Sequence, residues 1–177
     1  AEKRGLPNIK SMIEAASTLT SEKAVALFEK FGIYTKAELE SREEIIYETY
    51  AKTINIEALT MIDMAGKQII PAVVKYTKTL ADTANAIKAA GGDASVQTEL
   101  LADVSTKLAA MQKELNKLVA DEKEASAMED VKAQAFFYKD TIKATMDELR
   151  KPADELEMIV DKDVWPIPTY GELMFEV

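Results

Sequence analysis

LADVSTKLAAMQKELNKL, residues 101–118, places Leu101, Val104, Leu108, Met111, Leu115 and Leu118 at spacings that alternate between 3 and 4. Such a seam holds one apolar edge on an α-helix and leaves the remaining surface to charged and small residues. A second seam follows in Met128, Val131, Ala135, Tyr138, Ile142, Thr145 and Leu149, with a polar break at 121–126 between the two. Two seams joined by a short break predict antiparallel neighbours. Upstream, Gly91-Gly92-Asp93 is the clearest turn in the chain. Before it, no clear stop appears back to Thr35, which has the capping-box spacing to Glu38. A helix over 36–90 would span roughly 80 Å at about 1.5 Å per residue. Pro71 is its interruption and is expected to kink the helix or divide it.

The flanks read as follows. Ile9, Met12, Ile13 and Ala16 predict a two-turn helix. Thr20 is the expected N-cap of a helix carrying Val25, Leu27, Phe28 and Phe31, and Gly32 ends it as a left-handed residue. Pro152 is expected to kink or restart the last helix, whose apolar face continues through Leu156, Ile159 and Val160. In Trp165-Pro166-Ile167-Pro168-Thr169-Tyr170-Gly171, each proline pushes the residue before it into an extended conformation. Leu173, Phe175 and Val177 then alternate with Met174 and Glu176, as in a short extended segment. The fold class is therefore all-α: an antiparallel helical bundle with one very long, Pro71-interrupted helix and an extended aromatic C-terminal tail. It forms one domain, with short helices over 1–34, the main bundle over 35–162 and the tail over 163–177.

Composition removes several functions. Among 177 residues there is no histidine and no cysteine, which excludes Cys/His zinc sites, thiol redox chemistry and Ser-His-Asp triads. Asp and Glu number 31 against 22 Lys and Arg, a formal charge of −9 that repels nucleic-acid phosphates and anionic membranes. Neither nucleic acid nor membrane is an expected partner. No apolar run reaches transmembrane length and no basic-then-apolar leader is present, so a cytoplasmic location is expected. The first methionine is Met12, which suggests a removed initiator or a piece of a longer protein.

Thr53, Glu57, Thr60, Asp63 and Lys67 share an arc of roughly 120° on one helix face. Glu57 and Asp63 are the carboxylates that a metal-dependent or acid/base reading would use; a solvated stripe in which Asp63 pairs with Lys67 explains them more simply. Ile54, Leu59, Met61, Ile62, Ala65, Ile69, Ile70 and Val73 fill a broad apolar face, and Ile56 and Met64 fall inside the polar arc. A helix apolar nearly all round is either central among three neighbours or made for a further domain or subunit. Trp165, Tyr170 and Phe175 likewise either fold back on the bundle or anchor on a partner. Without such a partner the tail is expected to lack order. Ile56, Leu59, Met64, Trp165, Tyr170 and Phe175 are thus the candidates for packing between domains. No glycine pattern matches a phosphate loop, and no residue is assigned a catalytic, cofactor-binding or metal-binding role.

Thr53-Ile54-Asn55-Ile56-Glu57-Ala58-Leu59-Thr60-Met61-Ile62-Asp63-Met64-Ala65 resembles a helical hallmark of the C-terminal region of type III glutamine synthetases. Residues 165–175 resemble the terminal motif of that family, and 27–32, 37–42 and 70–73 fit in order. The resemblance implies an intact enzyme that joins ammonia to glutamate through γ-glutamyl phosphate, using ATP and Mg2+ or Mn2+. It implies a dodecamer of two stacked hexameric rings, with the ligand-binding residues in the β-grasp and catalytic domains that precede this region. None of those active-site motifs matches a position here, so this segment is expected to be a structural, assembly-supporting domain with no cofactor and no activity of its own. Its partner would be the catalytic domain of the same polypeptide, with segment 53–74 and the tail packing on that body. The alternative is a free-standing helical protein-interaction module.

Overall fold

Capping chemistry sets the boundaries in the first part of the chain. Ser11 accepts a hydrogen bond from the Glu14 N–H at 3.3 Å and opens α1 (Met12–Ala16), which is shorter than the spacing predicted. Ser21, and not Thr20, caps α2 (Glu22–Lys30) by accepting from the Ala24 N–H at 3.3 Å. Adjacent hydroxyl residues offer the same acceptor; Ser21 has the extended backbone of an N-cap, and the Thr20 hydroxyl bonds Glu43 instead. Gly32, at φ 63°, ends the helix as expected: its N–H donates to the Glu29 carbonyl and that of Ile33 to the Phe28 carbonyl. Thr35 and Glu38 form the expected capping box, with the Thr35 N–H donating to Glu38 Oε2 at 2.7 Å.

The computed structural model describes residues 2–168 and 170–175, without the side chains of Glu2 and Tyr170, and every regular element among them is helical. From that capping box α3 runs over Lys36–Met64, a π turn follows over Ala65–Ile69, and α4 continues over Ile70–Ala89. Pro71 does not divide this run. Proline lacks an N–H and crowds the carbonyl four residues back. The preceding π turn, in which the Ile70 N–H donates to the Ala65 carbonyl, widens the helix where that crowding would fall.

Gly91, at φ 80°, closes α4, with the Gly92 N–H donating to the Ile87 carbonyl at 2.9 Å. The chain then reverses into α5 (Ser95–Ser126). The stretch 121–126 is helical, not a break: Ala125 is fully buried, and Asp121 accepts from the Thr145 hydroxyl at 2.7 Å. The turn instead lies at 127–130, where Asp130 caps α6 (Val131–Phe137) by accepting from the Ala133 N–H at 2.7 Å. A second π turn, Tyr138–Ile142, leads into α7 (Lys143–Glu157). Pro152 is buried inside α7 and does not restart it.

Three rods result: 36–89, α5, and 131–157. Lys107 reaches Glu155 at 3.3 Å while Asp121 meets Thr145, so α5 and α7 are antiparallel. Lys132 reaches Glu43, and Phe136 lies against Tyr47, so α6 runs parallel to α3. Both seams meet in one core built on Val104, Met111, Leu118, Tyr138, Ile142, Leu149 and Leu156, together with Ala58 and Val73 of the first rod. A smaller cluster joins Ile13 and Ala16 of α1 to Tyr47 and Ala135. No helix among the described residues is long and apolar enough to cross a membrane.

Of the two readings of the tail, Trp165 takes the fold-back: it is buried in the main core, on which Val164 and Ile167 also pack. Residues 170–175 form α8 (Tyr170–Phe175), where the alternation predicted an extended segment. The proline constraint ends at Pro168, and an alternation of so few residues does not separate a strand from a helical turn. Thr169, Glu176 and Val177 lie outside the described residues.

Candidate docking surface

The apolar excess on 53–74 has a structural counterpart. Between the 56–69 stretch of the first rod and the 146–154 stretch of α7 a groove of about 460 Å³ opens, with Met111 of α5 in its lining. Met111 of α5, Ala65, Ile69 and Leu149 line its buried part, and each belongs to the core as well. Ile56, Met61 and Met64 come from α3, Met146 and Ala153 from α7, and Ile167 from the segment after it. The polar lining consists of Glu57, Thr60, Arg150 and Asp154. Arg150 donates to Asp154 one turn along α7 at 3.2 Å.

Two of the six candidate packing residues, Ile56 and Met64, are brought together here. Ile56 is 67% exposed, more than Ile45 or Leu59 on the same helix. Leu59 is also exposed, on α3 but outside the groove lining. Trp165 is committed to the core, and Phe175 is exposed on α8. The backbone of Tyr170 opens α8, but its side chain lies outside the described residues. Glu57 sits on the groove and Asp63 pairs with Lys67 on the exposed face, as the stripe reading expected. Among the described residues no three carboxylates gather as a metal-holding group.

Met146, Ala153 and Ile167 were not singled out from the sequence, because only the docking of α7 beside α3 brings them to the same opening. The methionine content of three helices was the available signal: Met61 and Met64 of α3, Met111 of α5 and Met146 of α7 all line one cavity. Methionine side chains are unbranched and polarizable, and adapt to varied apolar partners.

A second apolar area lies near the N-terminus. No side chain of α2 is buried, and Leu27, Phe31 and Ile33 are all more than half exposed. Beside it, Glu43 of α3 is buried and accepts from the Tyr47 hydroxyl at 2.6 Å and from Lys132 at 3.3 Å. Burial pushes the Glu43 carboxyl up, but hydrogen bonds from Thr20, Tyr47 and Lys132 outweigh it and hold the pKa below the ordinary value. The group is therefore an ionised tie between elements, with no free proton to offer a reaction at neutral pH.

Comparison with known proteins gives a consistent result. A family model described as glutamine synthetase C-terminal domain matches residues 1–88. The chain is 38% identical over its full length to a glutamine synthetase from Butyrivibrio fibrisolvens, covering 26% of that protein. It is 33% identical over 99% of its length to a type-3 glutamine synthetase from Dictyostelium discoideum, covering 25% of it. For a glutamine synthetase from Bacteroides fragilis the identity is 29%, again over 99% of the chain and 25% of the relative. The chain thus spans about a quarter of the length of the relatives it matches, in their C-terminal part.

Proposed function

Because this chain belongs to the family of glutamine synthetase C-terminal domains, we propose that it serves as the docking and assembly-supporting domain of a type III enzyme in the cytoplasm. The intact polypeptide forms glutamine from glutamate, ammonia and ATP with Mg2+ or Mn2+, as a homo-oligomer on the dodecameric plan of the family. The chemistry belongs to the remaining part of that polypeptide, and this domain contributes a surface.

The observation that carries this reading is the apolar lining of the groove, with Ile56 exposed and Met64 half-buried, within a helix stretch that also carries the family likeness. A concave apolar lining with few polar groups is the usual form of a binding surface. Transferring a phosphoryl group needs metals and cationic clamps around the moving oxygens. The groove lining has one cation, Arg150, and it is tied to Asp154.

The test is a glutamine-formation assay on the intact polypeptide and on the 177-residue segment, each with glutamate, ammonia, ATP and Mg2+. Activity is expected in the first and none in the second. Turnover by the segment that persists through further purification contradicts the proposal.

A further inference from the structure

The groove is a largely apolar opening between two helices. Along 56–69 and 146–154 the first rod and α7 form the two walls of the groove, with the buried Met111 of α5 between them. The open stretch of the first rod is about 20 Å long at the rise of an α-helix, enough for three to four turns of a partner.

We propose that this groove seats an amphipathic helix from the remaining part of the same polypeptide. That helix inserts apolar side chains spaced i, i+3 or i+4, and i+7 between α3 and α7, and sets basic side chains against Glu57 and Asp154. The proposal rests on the reading that this chain is one domain of a longer glutamine synthetase.

Three observations favour that occupant. About three quarters of each matched relative lies outside the matched part, so a larger partner is covalently at hand. The groove lining carries two carboxylates, Glu57 and Asp154, against one guanidinium, Arg150, which complements a basic helix and disfavours an acidic one. The exposed apolar segment of this chain nearest in sequence to Ile167, α8, is held elsewhere: Glu172 pairs with Lys162 at 2.9 Å, and no α8 residue enters the groove lining. The four methionines suit a helix-in-groove mode, in which an apolar helix face repacks its bed.

The test replaces Ile56 by a photoreactive phenylalanine analogue in the intact polypeptide. Ile56 is 67% exposed, so the substitution leaves the core untouched. After irradiation and digestion, the expected adduct joins the 56 site to a peptide preceding Ala1 of this segment, within one chain. Glu57→Lys is expected to lower its yield severalfold. An adduct between two copies, an adduct to Leu173, Met174 or Phe175, or no adduct at all overturns the proposal. The same sample separates this failure from failure of the underlying reading. If the unirradiated polypeptide migrates near 19.6 kDa, the larger enzyme itself is excluded. If it is several times heavier and the adduct is wrong, only the helix proposal falls.

Discussion

The Tyr47 hydroxyl donates a 2.6 Å hydrogen bond to Glu43 Oε1 one turn earlier on α3, and both side chains are buried. Lys132 reaches the same oxygen from α6 at 3.3 Å, so one carboxylate ties the first rod to the third. Tyr47→Phe removes one donor and leaves the buried carboxylate under-satisfied. The expected cost is about 1–3 kcal/mol, read as a lower denaturation midpoint with an unchanged slope. A loss below about 0.5 kcal/mol would place Tyr47 among ordinary surface substitutions.

The same tyrosine sets the alkaline limit. Burial first, and the Glu43 carboxylate second, push the Tyr47 phenol well above its ordinary value, and burial also raises Tyr50 and Tyr138. An unfolded chain releases these protons near pH 10.0, while the folded chain retains them. Above that pH the folded state binds more protons, so stability falls as pH rises. Spectrophotometric titration is expected to show late phenolate signals that appear together with loss of helical circular dichroism. Complete tyrosine ionisation near pH 10 with the fold intact would contradict the burial assigned to these rings.

At the acid end the sensitive point is the docking of α1. Lys139, in the second π turn, donates to Glu14 at 2.6 Å across 125 residues of sequence. That bond, with the Lys10 N–H, pulls the Glu14 pKa from 4.5 down to about 2. The contribution is fully present above the unfolded value and is lost as pH falls from about 4.5 to about 2. Amide exchange in α1 is expected to accelerate through that window. Glu14→Gln should give fast exchange already at neutral pH, and a flat pH profile in the wild-type chain would contradict the tie.

Met111 and Ile56 face one groove with opposite roles. Met111 is fully buried, and Met111→Ala is expected to cost about 2–5 kcal/mol in the segment alone. Ile56 is mostly exposed, and Ile56→Ala should change the segment by no more than about 0.5 kcal/mol. In the intact polypeptide the Ile56 cost should rise, because the groove is then covered. Equal small effects in both settings would mean that nothing sits on it.

The main rods were legible because their signals are repeated many times. Leu101 to Leu118 and Ala135 to Leu149 hold their spacings over several turns, and Gly32, Gly91 and the Thr35–Glu38 pair mark ends by specific chemistry. Short signals misled. A polar run at 121–126 is compatible with a solvent-facing helical turn, and Pro71 is compatible with a helix that widens just before it. Of the docking face, Ile56 and Met64 stood out as apolar residues within a polar arc. Met146, Ala153 and Ile167 did not, because their role comes from the placement of α7, which helical periodicity does not encode.

The mass of the native polypeptide that carries this sequence tests the account most directly. A chain several times heavier than 19.6 kDa is expected, with this segment as its C-terminal part. A native chain close to 19.6 kDa would contradict it and leave a self-sufficient helical protein whose groove must serve a separate partner.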